Sequence, residues 1–169
     1  ISSGFMRSKG VIDWRIAFWR ASALSSSSCS PKASANWPGS FFTSLMPTLL
    51  VDGVAEAMQA MPGPIVFVSN LLTEGLGMQD FTAGEAVRWV EETIGRPVDL
   101  LVFNTAKMPP ALLASYAREH KQPLALGTLP AHTTLVEAPL WTREIARHDR
   151  RRLSHAVWSV LSASALDQR

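Results

Sequence analysis

The chain is poor in several things that would settle a function quickly. It has one cysteine, Cys29, and so no internal disulfide. Its four histidines (His120, His132, His148 and His155) have no cysteine partners and no H-E-x-x-H spacing, which removes the ordinary structural zinc site and the metalloprotease-type centre. No window approaches 18 consecutive apolar residues, and Arg7, Lys9, Asp13, Arg15 and Arg20 break up the first 24. Neither a transmembrane helix nor an ordinary secretory signal fits, and a cytoplasmic protein is expected. Charge of one sign is lacking as well: 16 Lys and Arg against 14 Asp and Glu leave a net +2, too little to indicate a nucleic-acid partner. There is no Walker A loop, no G-x-G-x-x-G and no Ser/His/Asp set at recognisable spacing, so nothing marks a catalytic nucleophile.

What is present is a chain of 169 residues with 47% hydrophobic content, enough for one domain with a sizeable core. Residues 1–36 differ in kind from the rest. They mix the isolated tryptophans Trp14 and Trp19 with a serine run and carry no sustained period of 2 or 3.6, so they read as an irregular, non-native or out-of-frame segment. From Phe41 the pattern becomes one of alternating helices and strands. Phe41–Leu50 and "DGVAEAMQAM" form a helical stretch expected to break at Pro47. Ile65–Val68 is a short apolar run of the kind buried in a parallel sheet. In "TAGEAVRWVEETIG", Thr82 and Glu85 have capping-box spacing, Ala83, Ala86, Val87, Val90 and Ile94 share a face, and Gly95 stands at the stop. Val98–Phe103 is a second buried strand, and Pro109 and Pro110 open a helix through "PPALLASYAREH". "PLALGTL" is expected as a third short strand, and residues 150–162 as a last helix burying Leu153, Val157, Val160 and Leu161.

Two strand-loop-helix units predict a parallel sheet, whose ligands bind beyond the carboxyl ends of the strands. That rule selects the loop after Val68, the loop after Phe103, and the turn Pro38, Gly39, Ser40, where backbone N–H groups at a helix start can meet an anion. The turn is odd in one respect: polar "SSSSCSPKASAN" precedes it where an α/β protein has a hydrophobic strand. Asn70 and Asn104 stand at strand ends, either to fix their own loops or to donate to a ligand. Asn70 to Phe81 is long for a connection in such a fold, which suits a binding loop. Five arginines fall within "TREIARHDRRRL". Asp149 is a natural N-cap, and this leaves Arg147 and His148 just outside the positive end of a helix dipole, where an anion would relieve them. The competing reading pairs Arg147 with a carboxylate such as Glu144. Tyr116, the only tyrosine, falls on the apolar side of its helix and reads first as a core ring with its hydroxyl at the rim.

The stretch from Trp37 to Leu161 resembles the C-terminal half of the YvcK/CofD family. "WPGSFFTS" is similar to that family's G-P-G-S-x-[YF]-T-S turn, "PTLLVDGVAEAM" to the helix after it, "VSNLLTEGLGMQDFTAGEAV" to its N-x-M-T-Q-P-G-E-T-x-G-[YF] segment, "LLVFN" to its second strand, and "IARHDRRRLSHAV" to its terminal R-H-D motif. The resemblance implies a Rossmann-like α/β parallel sheet with flanking helices, present incompletely as the C-terminal part of a larger three-layer fold. The family portion is then residues 37–165, with a tail over 166–169. "SNLLTEG" is closer to the YvcK branch, which implies a UDP-sugar-binding regulatory protein linked to central carbon use and cell-wall growth, with UDP-GlcNAc or UDP-glucose as partner. By that resemblance Gly39, Ser40, Thr43, Tyr116 and Arg147 are ligand-binding residues, with Tyr116 and Arg147 tied to the UDP-sugar, and Asn70, Thr73, Asn104 and His148 complete the expected set. The region between these two is a few residues shorter than in the family. The other branch, CofD, implies a transferase of a phospholactyl group to the deazaflavin Fo with Mg²⁺, for which Glu74 and Asp80 are the acidic candidates on this edge. A third reading is a fragment without activity that self-associates; a homo-oligomer is left open, and no cofactor is firmly expected.

Overall fold

The computed structural model describes residues 40–166 apart from Gly77. The expectations for residues 1–36, for Gly39 and for residues 167–169 lie outside the described residues, all of which belong to one compact unit, Asn36–Arg169. A π-helical turn, Phe41–Leu45, runs into α1 (Met46–Leu49) and then α2 (Val54–Ala60). β1 (Val66–Val68), α3 (Ala83–Ile94), β2 (Leu100–Asn104), α4 (Pro110–Ala117), β3 (Thr134–Ala138) and α5 (Arg150–Leu166) follow.

The strands form one sheet in the order β1-β2-β3, parallel throughout, with Val66 opposite Leu100, Leu100 opposite Thr134 and Asn104 opposite Ala138. Alternation along the strands sends side chains to two faces. Phe67 and Leu101 meet Phe41, Met46, Leu49, Val98 and the apolar face of α3, and the sheet's other face packs Val102, with Val66, Val68 and Val136, on Leu140, Ala156, Leu153 and Val157. The result is three layers, as expected: helices, sheet, helix. Ile94, Leu101, Val98 and Val102 are fully buried, each contributing about 1.5–3 kcal/mol by leaving water.

α3 forms as its local signals dictate. The Thr82 hydroxyl accepts from the Glu85 amide, the Glu85 carboxylate accepts from the Thr82 amide, and Gly95 closes the helix at φ 66°. Its two first-turn donors find carbonyls elsewhere: Ala83 N–H reaches Ala125 O at 2.8 Å and Gly84 N–H reaches Leu126 O at 2.9 Å. This corrects one expectation. "PLALGTL" is no strand; its carbonyls cap α3, and the third strand is Thr134–Ala138. The break expected at Pro47 falls instead at Val51–Gly53, where Gly53 has φ 83°, because Pro47 sits in the first turn of α1 and forfeits no helical N–H there. Among the described side chains of α5, Ala156 is buried and Leu153, Val157, Val160 and Leu161 are half-buried, and the helix extends past residue 162 to Leu166.

Candidate functional site

The carboxyl ends of β1 and β2 carry the two loops selected from the sequence, and the R-H-D segment follows the carboxyl end of β3. Their residues assemble into two clusters joined by the consecutive residues Ser69 and Asn70 at the end of β1.

The first cluster surrounds the turn at Ser40. Ser40 is an N-cap whose hydroxyl accepts from Thr43 N–H at 3.3 Å. The anion that meets this helix start is the protein's own Glu74 carboxylate. It accepts from the Ser40 hydroxyl, from Phe41 N–H, from Phe42 N–H at 3.2 Å and from Asn70 Nδ2 at 3.0 Å. A carboxylate near unsatisfied N–H groups and the positive end of the backbone dipoles is favoured electrostatically, so the turn holds the Glu74 side chain in place. Glu74 was expected only as a metal-ligand candidate. Its carboxylate is instead spent on the turn, and among the described residues no group of three His, Cys, Asp or Glu is placed to hold a metal.

The second cluster is built on the loop between β3 and α5. Trp141 and His148 bridge in antiparallel fashion, Thr142 N–H donates to Arg147 O at 3.1 Å, and Trp141 Nε1 donates to Ile145 O at 2.8 Å. Arg143, at φ 76°, makes the reversal. Asp149 then caps α5, accepting from Arg151 N–H at 2.9 Å and Arg152 N–H at 3.0 Å. The Arg152 amide, with that of Arg151 and both guanidinium charges, holds its carboxyl below the usual range. Tyr116 joins the loop from α4: its hydroxyl accepts from Ala146 N–H at 3.0 Å, and its ring packs with Leu71, Leu72, Met108 and Trp141. The residue before Arg147 is thus tied to Tyr116, 30 positions away in sequence.

His148 lies beneath this loop, buried. Its ring donates to the Ser69 backbone carbonyl and Nε2 has no partner, which leaves Nδ1 as the donor and Nε2 as a lone pair. Burial pushes its pKa below 6.5, against the opposing pull of the Ser69 bond, so the ring is neutral at physiological pH.

Two expected ligand residues act on their own backbone. Asn104 Oδ1 accepts from Ala106 N–H at 3.1 Å and Leu140 N–H at 2.8 Å, and its Nδ2 donates to Ala106 O at 3.0 Å, fastening the ends of β2 and β3 together. Thr73 is buried; its hydroxyl accepts from Gln122 N–H at 3.0 Å, and its own N–H donates to Gln122 O at 2.8 Å. Asn104 thus fixes its own loop, one of the two readings its sequence allowed, and Thr73 fastens the loop after β1 to Gln122. Ser40, Asn70 and Glu74 lie together, as do Tyr116, Arg147 and His148.

Residues 37–140 match the family model described as 2-phospho-L-lactate transferase CofD. A provisionally named gluconeogenesis factor from Deinococcus radiodurans is 31% identical over 125 residues, covering 73% of this chain and 27% of that protein. The gluconeogenesis factor of Halalkalibacterium halodurans is 25% identical over 131 residues, covering 71% and 39%. A crystal structure of a UPF0052 family member from Bacillus halodurans has a TM-score of 0.64 at 23% identity, over 72% of this chain and 40% of that one, a likeness of fold. The chain therefore spans 27% to 40% of the length of these relatives.

Proposed function

The chain belongs to the CofD family, and from that premise we propose that it binds a nucleotide sugar, UDP-GlcNAc or UDP-glucose, as a YvcK-type regulatory protein rather than turning it over. A cytoplasmic location and a link to central carbon use and cell-wall growth belong to the same reading. What supports it is the hydrogen bond between the Tyr116 hydroxyl and Ala146 N–H, at 3.0 Å, which joins the tyrosine and the arginine of the family's UDP-sugar motifs in one structural unit. In this reading the Arg147 guanidinium meets the diphosphate, for which its fork of N–H donors is suited, and the edge of Tyr116 faces the base or sugar. The buried His148 ring ties the loop to the end of β1 through its bond to the Ser69 carbonyl. A phosphate seated at the Ser40 turn competes with the Glu74 carboxylate for the same donors.

The test is a thermal-shift titration of the chain with each nucleotide sugar. A ligand that binds only the folded state adds about 2.7 kcal/mol at a hundredfold excess over Kd, which for a chain of this size raises Tm by roughly 5–10 °C. The expected result is a saturable rise, strongly weakened in Arg147→Ala. A folded chain that shows no saturable rise with either compound at millimolar concentration overturns the proposal.

A further inference from the structure

β3 is an edge strand, with β2 on one side and no strand on the other among the described residues. In a parallel ladder each residue directs its N–H and C=O to the same side, and successive residues alternate. Thr134 N–H donates to Asp99 O at 2.9 Å and Ala138 O accepts from Thr105 N–H at 3.0 Å, so Thr134, Val136 and Ala138 face β2. Leu135 and Glu137 consequently direct their backbone donors and acceptors outward. An open groove of about 610 Å³ runs along this edge. Four consecutive residues, Val136 to Pro139, line it, so it exposes the edge of the strand and not only one face.

The opposite wall is α5. Ala156 and Val160 give an apolar floor, and Arg151, Arg152 and His155 stand above it, all three exposed. Against these the strand side offers one carboxylate, Glu137. The groove thus combines outward-directed backbone hydrogen-bonding groups, an apolar floor and the guanidinium groups of Arg151 and Arg152, the second of which donates to Pro139 O at 3.1 Å. An extended peptide has matching backbone groups for the edge, and alternate side chains would point toward the floor and the rim in turn.

We propose that the groove between β3 and α5 binds an extended peptide segment carrying alternate acidic side chains, added to the sheet at the outer edge of β3. The segment pairs with the backbone of Leu135 and Glu137, sets small apolar side chains on Ala156 and Val160, and turns its carboxylates to Arg151 and His155. Charge complementarity selects this occupant over a second copy of the chain, which would bring another Arg151 and His155 to the same edge. Natural proteins cover or charge bare edges, and a cationic wall beside this one excludes most β-rich neighbours while admitting an acidic strand.

The test is fluorescence anisotropy of the full chain with a labelled six-residue peptide of alternating Val and Glu, against a Val and Lys control. Saturable binding of the acidic peptide alone is expected, weakening between 0.15 M and 0.5 M salt as a rim-exposed charge contact should. The double variant Arg151→Glu, His155→Glu lies on exposed positions and is expected to weaken binding by roughly tenfold or more, while leaving any response to nucleotide sugar unchanged. Glu137→Pro deletes one outward N–H without touching a ladder bond and should also weaken binding. Equal binding of both peptides overturns the proposal, as does no binding at millimolar peptide. So does a concentration-dependent dimer dissociated by Glu137→Pro, which would assign the edge to a second copy.

Discussion

Tyr116→Phe separates two roles that a tyrosine in this position can have. The ring is retained, so the packing on Leu71, Leu72, Met108 and Trp141 stays, and the one hydrogen bond lost is that from Ala146 N–H. A buried donor left without an acceptor costs about 1–3 kcal/mol. Ala146 is half-buried and water can reach part of the loop, so the lower end, about 1 kcal/mol, is expected. At this chain length that is a fall in Tm of roughly 2–4 °C, and amide exchange at Ala146 should quicken by about fivefold. Nucleotide-sugar affinity should fall by a comparable factor, because the loop presenting Arg147 is loosened. The deciding measurement is the double variant with Arg147→Ala. If the hydroxyl acts by positioning the arginine loop, its effect on residual affinity vanishes once the arginine is gone, so the coupling equals the whole single-variant effect. Unchanged stability and unchanged exchange in Tyr116→Phe would refute the structural role. Additive losses in affinity would place the hydroxyl on the ligand itself.

Two further outcomes follow from the same structure. Gly84→Ala should destabilise despite alanine's better helix propensity, worth about 1 kcal/mol, because the new Cβ would lie 2.3 Å from Thr128 O and 2.8 Å from its carbonyl carbon. Moving that backbone strains the bonds that cap α3, for a net loss of about 1–3 kcal/mol. Gly63→Ala, with nothing within 4 Å of its Cβ, is the control, and equal melting of the two variants in chemical denaturation would contradict this. His148 titrates below 6.5 in the folded chain because it is buried, so unfolding takes up a proton as pH falls. Its contribution is fully present above 6.5 and declines as pH drops toward the folded pKa. The difference in Tm between the native chain and His148→Asn should therefore shrink between pH 7.5 and pH 5.5, and a difference independent of pH would show that the ring is not held neutral.

Where the reasons for an element are local, the sequence is legible. Thr82, Glu85 and Gly95 dictate α3 within its own span, and Ile65–Val68 and Val98–Phe103 declare buried strands by being short, apolar and bounded by turn residues. β3 escapes notice because it is an edge: Glu137 and Thr134 are exposed, so "TLVEA" lacks the continuous apolar run that identifies β1 and β2. "PLALGTL" misleads for the complementary reason, since its apolar residues do pack on the core while its backbone serves a helix start some 40 residues earlier.

The site divides along the same line. That a carboxylate can cap the Ser40 turn is written in the turn; that Glu74, 34 positions on, supplies it is not, because the loop carrying Glu74 is fixed by Thr73 and Gln122, 49 positions apart. Arg147 likewise stands out as a cation at a helix start, yet its loop is shaped by the hydroxyl of Tyr116 and the buried ring of His148. A residue type can be chosen locally for its chemistry, whereas its aim depends on partners that only the fold brings near. The polar side chains on this edge therefore fall into those that hold the loops, Asn104, Thr73 and Tyr116 through its hydroxyl, and those the loops present. Arg147 follows Ala146, whose N–H is held by the Tyr116 hydroxyl, and its substitution is expected to lower nucleotide-sugar affinity.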